Sequence, residues 1–189
     1  QIQAGPVRQA IDKLMKKPLF SYGISDKKGG LTIKKPDGSL GSVSFAYLSK
    51  VTPKPFNAEW SGGAGIHQHD KYVVTDFNLP SATVFTGSSN HAPSGEKGNG
   101  DNLVMIKDQK VATSYAIESL RVFDHLHFRM RMQNATTTKG GKGKKKTDKQ
   151  AEKALTLKKP KAVSGQDNWF ASYYAKGSQA ASDRLLFSK

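Results

Sequence analysis

Near the start of the chain Val7, Ala10, Ile11, Leu14 and Met15 recur at helical spacing behind Pro6, which predicts an amphipathic helix that ends before Pro18. Leu19 to Ile24 follows as a short, mostly apolar run and predicts a buried strand. Beyond the polar turn Asp26 to Gly30, Leu31 to Lys35 alternates apolar with polar up to Pro36-Asp37-Gly38, the pattern of a hairpin. Val43 to Val51 reads equally as strand or loop, and Pro53, Pro55 and the run Ser61-Gly62-Gly63-Ala64-Gly65 mark irregular backbone.

The pattern then sharpens. Tyr72 to Thr75 is β-branched and aromatic and predicts a buried strand; Ala82 to Thr86 predicts a second and Leu103 to Ile106 a third, after a polar loop from Pro93 to Asn102. The longest helix comes next. Asp108 is placed to cap it, and Ala112, Tyr115, Ala116, Leu120, Phe123 and His127 share one face through about Arg131. From Asn134 to Leu157 threonine, glycine and lysine replace aromatic and branched residues, so a disordered linker is expected. Aromatics return with Trp169, Phe170, Tyr173, Tyr174 and Phe187, expected as a C-terminal strap that packs back on the domain. The chain thus divides into an α/β unit over 1–133, a lysine-rich linker over 134–164 and a strap over 165–189.

Charge changes this picture in one place. The chain carries 30 Lys and Arg against 15 Asp and Glu. Ten of those lysines lie between Lys139 and Lys161, against only Asp148 and Glu152. Such a tract fits sequence-independent, salt-sensitive contact with a polyanion, or a solvated spacer; it has no interleaved aromatics for base stacking. The absence of cysteine excludes disulfides, thiolate metal sites and thiol nucleophiles. No apolar run approaches the roughly 20 residues of a membrane span, and no signal-peptide pattern opens the chain, so the sequence leaves its compartment undetermined.

The chemistry gathers around the motif strand. His69, Lys71 and Asp76 form HxKxxxxD, and Gly87, Ser88 and Asn90 form GSxN. Alternation along a strand projects His69 and Lys71 together and turns Asp76 to the other face, where it serves support. In type and order these residues resemble the phospholipase D superfamily, whose signature is this His-Lys-Asp motif followed by a Gly-Ser-x-Asn turn. The connection here, Phe77 to Thr86 with Pro80 inside it, is longer than the family usually carries and reads as an extended turn. Asn99-Gly100-Asp101 stands where many members have Asn-x-Glu, and Asp124-His125-Leu126-His127-Phe128-Arg129 continues the likeness, which covers roughly residues 7–131.

The resemblance implies a phospholipase D-like α/β sandwich, with a mixed central sheet flanked by helices, and a metal-independent phosphodiester hydrolase that uses no cofactor. It implies that His69 is the nucleophile and forms a phosphohistidine, that Lys71 and Asn90 hold non-bridging oxygens, and that Ser88 or backbone N–H groups of the turn add donors. Asp101 would hold the second imidazole nitrogen, with Asp76 and Gly87 as structural support. Phospholipid and nucleic acid both fit as substrate; a nonspecific nuclease and a silent phosphate-docking module are the alternatives. The mechanism also needs a second acid-base group, which in this family is the histidine of a second motif. No second HxKxxxxD occurs in the chain. The expected source is an upstream segment with its own motif or a homodimer partner, and the start at Gln1, directly into a helix, favours a C-terminal piece of a larger protein.

Other histidines compete for roles. His67 shares the parity of His69, so it could assist or form a metal-binding His-x-His pair, and His91 follows the turn closely enough to line a pocket. His125 and His127 are two apart on a predicted helix and diverge, so they cannot chelate one ion. No carboxylate cluster suggests a two-metal nuclease.

Overall fold

A computed structural model of the protein describes residues 5–17, 19–26, 31–34, 40–41, 43–44, 69–137 and 168–188. His67, the run 61–65, the turn 35–39 and the lysine tract lie outside them. The content is mixed α/β. The elements run α1 (Pro6–Leu14), β1 (Ile24–Ser25), β2 (Val43–Ser44), β3 (Tyr72–Thr75), β4 (Thr83–Thr86), α2 (Pro93–Lys97), β5 (Val104–Ile106), α3 (Gln109–Thr137), a 3-10 turn (Ala171–Tyr173) and α4 (Gln179–Leu186). Among the described residues the strands form two sheets, a parallel pair β1-β2 and an antiparallel sheet β3-β4-β5. An antiparallel bridge between Lys34 and Leu40 closes across the predicted hairpin turn.

The antiparallel sheet is built from the motif hairpin. Tyr72 pairs with Thr86 and Thr75 with Thr83, and β5 adds to the other edge of β4 through Val84–Ile106 and Thr86–Val104. Register aligns Val74, Val84 and Ile106 in one row, and this row packs with Ala82 against Ala112, Val111 and Tyr115 of α3. Ala112 is fully buried; its small side chain lets the helix approach the sheet closely. Tyr72 joins the same interface through a hydrogen bond to Ser119 of 3.0 Å and an edge-on contact with Tyr115.

Helix α3 starts where the sequence places it, with Asp108 Oδ1 accepting from the Val111 N–H at 2.9 Å. It runs past Arg131 to Thr137, so the expected linker at 134 begins inside a helix. No glycine or proline interrupts 132–137, and each added residue of an existing helix gains a hydrogen bond without a new nucleation cost. On its inner face Phe123 and Leu126 are buried, and His127 stacks on Phe123 while His125 is exposed.

The segment Leu19–Ile24 departs from the buried strand expected of it. Only Ile24 and Ser25 enter a ladder, and Leu19 is 44% exposed. Alternation explains the difference: Phe20, Tyr22 and Ile24 turn inward, so rings rather than ladder hydrogen bonds hold this stretch. Tyr22 meets Phe123 edge-on at 5.1 Å, and Phe20 contacts Tyr22, Phe77 and Phe187.

Those contacts bring in the C-terminus as a helix. Ser178 caps α4 by accepting from the Ala181 N–H at 3.0 Å, and Phe187 at its end stacks on Phe77 at 6.2 Å. Buried Asp183 accepts hydrogen bonds from the Tyr22 hydroxyl at 3.0 Å and from Gln179 Nε2 at 2.6 Å. Burial, and then the neighbouring Asp183 charge, push the Tyr22 hydroxyl well above its ordinary value. The rest of the aromatic segment stays open: Trp169 is 47% and Tyr174 68% exposed, with Arg184 over the Tyr174 ring. No helix among the described residues is long and apolar enough to cross a membrane.

Candidate active site

Antiparallel pairing of β3 with β4 decides where the motif residues meet. Tyr72 pairs with Thr86 at the end of the ladder, so the residues before β3 (His69 to Lys71) and those after β4 (Gly87 to Asn90) leave the hairpin at the same end. Thr86 Oγ1 donates to the Lys71 carbonyl at 3.2 Å and ties the two segments together. His69 and Lys71 lie on the lead-in to β3 rather than within it, because the ladder begins at Tyr72. Lys71 Nζ folds back to donate to the His69 carbonyl at 3.1 Å, which holds an ammonium beside the histidine backbone. His69 and Asn90 are exposed and Lys71 is half-buried. Next to them, burial holds the Tyr72 hydroxyl above its ordinary value, against a smaller opposing effect of Ser119, so it is neutral at physiological pH.

The Gly-Ser-Ser-Asn turn is fixed by residues ahead of β5. Asn102 Oδ1 accepts from the Ser88 N–H at 3.0 Å, the Asn102 carbonyl accepts from the Ser89 N–H at 3.2 Å, and the Asn102 N–H donates to Ser88 Oγ at 3.0 Å. Ser88 Oγ in turn donates to Asp101 Oδ1 at 3.1 Å. Gly87 makes this closeness feasible. Its φ is +145°, and a Cβ there would sit 2.5 Å from both Asn102 oxygens, so only glycine fits. Behind the turn, Gly95 of α2 is buried, and a Cβ on it would lie 3.0 Å from Asp101 Oδ2 and 3.2 Å from the Asn90 nitrogen.

This bonding changes which groups are left for a ligand. A serine hydroxyl has one proton, and that of Ser88 is directed to Asp101, so in this arrangement it has none to give to a phosphate oxygen. The backbone N–H groups of Ser88, Ser89 and His91 are likewise engaged within the turn, the last to Ser89 Oγ at 3.2 Å. The donors expected from Ser88 and from these amides are therefore used to shape the turn. Lys71, whose ammonium lies beside the His69 backbone, and the exposed Asn90 remain as donors at this end of the hairpin.

The structure places the remaining predicted residues as follows. Asp76 ends β3 in the left-handed region at φ +52°, where its carboxylate accepts from Ser81 Oγ at 2.9 Å; it holds the hairpin turn at the end remote from His69. Asp101 accepts from Ser88 and is not brought into a hydrogen bond with the His69 ring, the partner expected for it. His91 is 8% exposed with φ +51°, buried where its neighbour Asn90 is open. Among the described residues no group of three His, Asp or Glu side chains is placed to hold a metal ion.

Asn102 and Gly95 are the site residues that sequence reading missed. Asn102 lies 14 positions from Ser88, with no periodic pattern between them. Its one signal is a residue type that readily hydrogen-bonds nearby backbone, and it was overshadowed by the acidic Asp101 beside it. Comparison with known proteins adds nothing to the geometry: no family model, no curated protein and no solved structure matches the chain.

Proposed function

We propose that the protein is a phosphodiester hydrolase of the phospholipase D type, with a phospholipase D-like α/β sandwich as its complete fold. One observation carries the reading: the register of β3 with β4 puts the His69–Lys71 lead-in and the Gly87–Asn90 turn at one end of the hairpin. An imidazole, an ammonium and a carboxamide at one exposed end are the parts needed for nucleophilic attack and charge neutralisation at a phosphate.

In this reading an unprotonated ring nitrogen of His69 attacks phosphorus. The bond to the leaving oxygen breaks, and that oxygen takes a proton from a second acid. Lys71 and Asn90 hold the non-bridging oxygens, whose negative charge would otherwise repel the nucleophile. Water, deprotonated by the same second group, then cleaves the nitrogen–phosphorus bond and restores His69. That second group belongs to another His-Lys-Asp half, either in an upstream segment of the same protein or in a homodimer partner. Phospholipid and nucleic acid are the substrate classes; the ten lysines of 139–161 favour nucleic acid or another polyanion over a neutral lipid.

The test is a parallel assay of the full chain, with sizing by light scattering, on bis(p-nitrophenyl) phosphate, plasmid DNA, RNA and phosphatidylcholine vesicles, each with and without EDTA. The reading expects hydrolysis of the dye and of at least one natural class, unaffected by EDTA. Turnover lost to EDTA and restored by zinc would replace it with a metal-dependent mechanism through His67 and His69.

A further inference from the structure

Asn102, which lies outside the motif, makes three hydrogen bonds with the candidate turn. Two of its three hydrogen bonds come from its backbone and are open to any residue but proline. The third, from Ser88 N–H to Asn102 Oδ1, needs a side-chain acceptor of this length. A carboxylate would supply the same acceptor. It would also put a second negative charge beside Asp101, whose Oδ1 already lies 3.1 Å from Ser88 Oγ. A carboxamide offers the oxygen without the charge.

We propose that Asn102 is a positioning residue of this site: a neutral acceptor that fixes the Ser88 amide, and through it Asn90, without adding negative charge where a phosphate is to bind. The inference rests on the phosphodiesterase reading for its catalytic consequence, while its structural half stands on the hydrogen bonds alone. Asn102 acts through the turn and touches no reacting atom. Loss of its side chain lets the segment carrying Asn90 drift, and a displacement of about 1 Å at a reacting centre costs on the order of 100-fold in rate.

Two substitutions separate position from charge. Asn102→Ala removes the acceptor; Asn102→Asp keeps it and adds the charge. Amide hydrogen exchange by NMR on the full chain reads the turn directly. In Asn102→Ala the Ser88 amide should exchange about tenfold faster or more, since it loses its one acceptor, with Val84 in β4 unchanged; in Asn102→Asp it should stay protected. Unchanged exchange at Ser88 in the alanine variant overturns the proposal, whatever the enzyme assays give.

Binding of inorganic phosphate then reads the charge. Asn102→Asp should bind about five- to tenfold more weakly than wild type near neutral pH, and should recover when both are compared below about pH 4, where the new carboxyl is protonated. Equal affinity of the two proteins at neutral pH overturns the charge argument. With bis(p-nitrophenyl) phosphate, Asn102→Ala should lose roughly 10- to 100-fold in kcat with KM within about threefold, and Asn102→Asp should keep kcat but raise KM. If wild type neither binds phosphate nor cleaves the dye, the phosphodiesterase reading and the charge argument fall together, while the exchange data still decide whether Asn102 holds the turn.

Discussion

The two ends of the β3–β4 hairpin are held by different physics. At the closed end the chain turns through Asp76–Ala82 with Phe77 in a three-ring cluster with Phe20 and Phe187, and Thr113 Oγ1 donates to the Phe77 carbonyl at 3.1 Å. At the open end Tyr72 still packs on Tyr115, but the Gly87–Asn90 turn beyond it is held by hydrogen bonds to Asp101 and Asn102, and His69 and Asn90 face solvent. Ring packing needs mainly shape and volume, so the Phe77 position tolerates other apolar residues, and the Asp76–Ser81 bond is the specific polar contact there. A hydrogen-bonded turn needs particular atoms at particular places. The hairpin is thus anchored at one end and chemically specified at the other.

If that division is right, substitutions at the two ends should separate activity from stability. The largest effect belongs to the open end. His69→Ala should lower dye hydrolysis at least about 1,000-fold while its melting temperature stays within a few degrees of wild type, because an exposed side chain contributes little to packing. Activity within tenfold of wild type would take His69 out of the nucleophile role. Phe77→Ala should do the reverse. Loss of a half-buried ring costs about 2 kcal/mol, read as a lower urea midpoint, with kcat/KM of the folded protein within about threefold. A tenfold drop in kcat/KM under folding conditions would mean that the two ends are mechanically coupled.

A smaller effect sharpens the anchored side through pH. Tyr22 has its folded value raised by burial and Asp183, so the stability it contributes is fully present below its ordinary value of 10.0 and is lost as pH rises beyond it. Tyr22→Phe should therefore cost about 1 kcal/mol near neutral pH, for the lost hydrogen bond, yet show a flatter decline in melting temperature between about pH 9 and pH 11. Parallel curves for the two proteins over that range would contradict the assignment. Smallest for the chemistry, deletion of 139–161 should leave dye hydrolysis within about twofold while flattening the salt dependence of polyanion binding. An unchanged salt slope would reduce the lysine tract to a spacer.

How much of this the sequence carried differs between the same two ends. The strands 72–75, 83–86 and 104–106 and the capped start of α3 were legible, because strand alternation and helix capping are local. Asp76, expected to back the site from the opposite strand face, instead braces the hairpin turn at the far end with its carboxylate, because the strand stops at Thr75 and parity does not extend to a residue at φ +52°. The strand expected over Leu19–Ile24 failed because an apolar run does not say whether its hydrogen bonds find a partner; rings from three other elements hold it instead. Pro93 lies in an expected loop that forms α2, a helix too short to leave a periodic signal. The bracing by Asn102 was hidden for a related reason: it joins residues far apart in sequence through one side-chain oxygen and two backbone groups, and backbone groups have no sequence signature.

The most direct test of the open end as a phosphodiesterase site is to trap its covalent intermediate. The full chain is mixed with bis(p-nitrophenyl) phosphate, quenched at alkaline pH within the first turnover, where a nitrogen–phosphorus bond survives, and mapped by peptide mass. The account predicts an acid-labile p-nitrophenyl phosphoryl adduct on the peptide containing His69, formed together with a burst of about one nitrophenolate per site and absent from His69→Ala. Steady hydrolysis by wild type with no adduct on that peptide, and undiminished in His69→Ala, would contradict it.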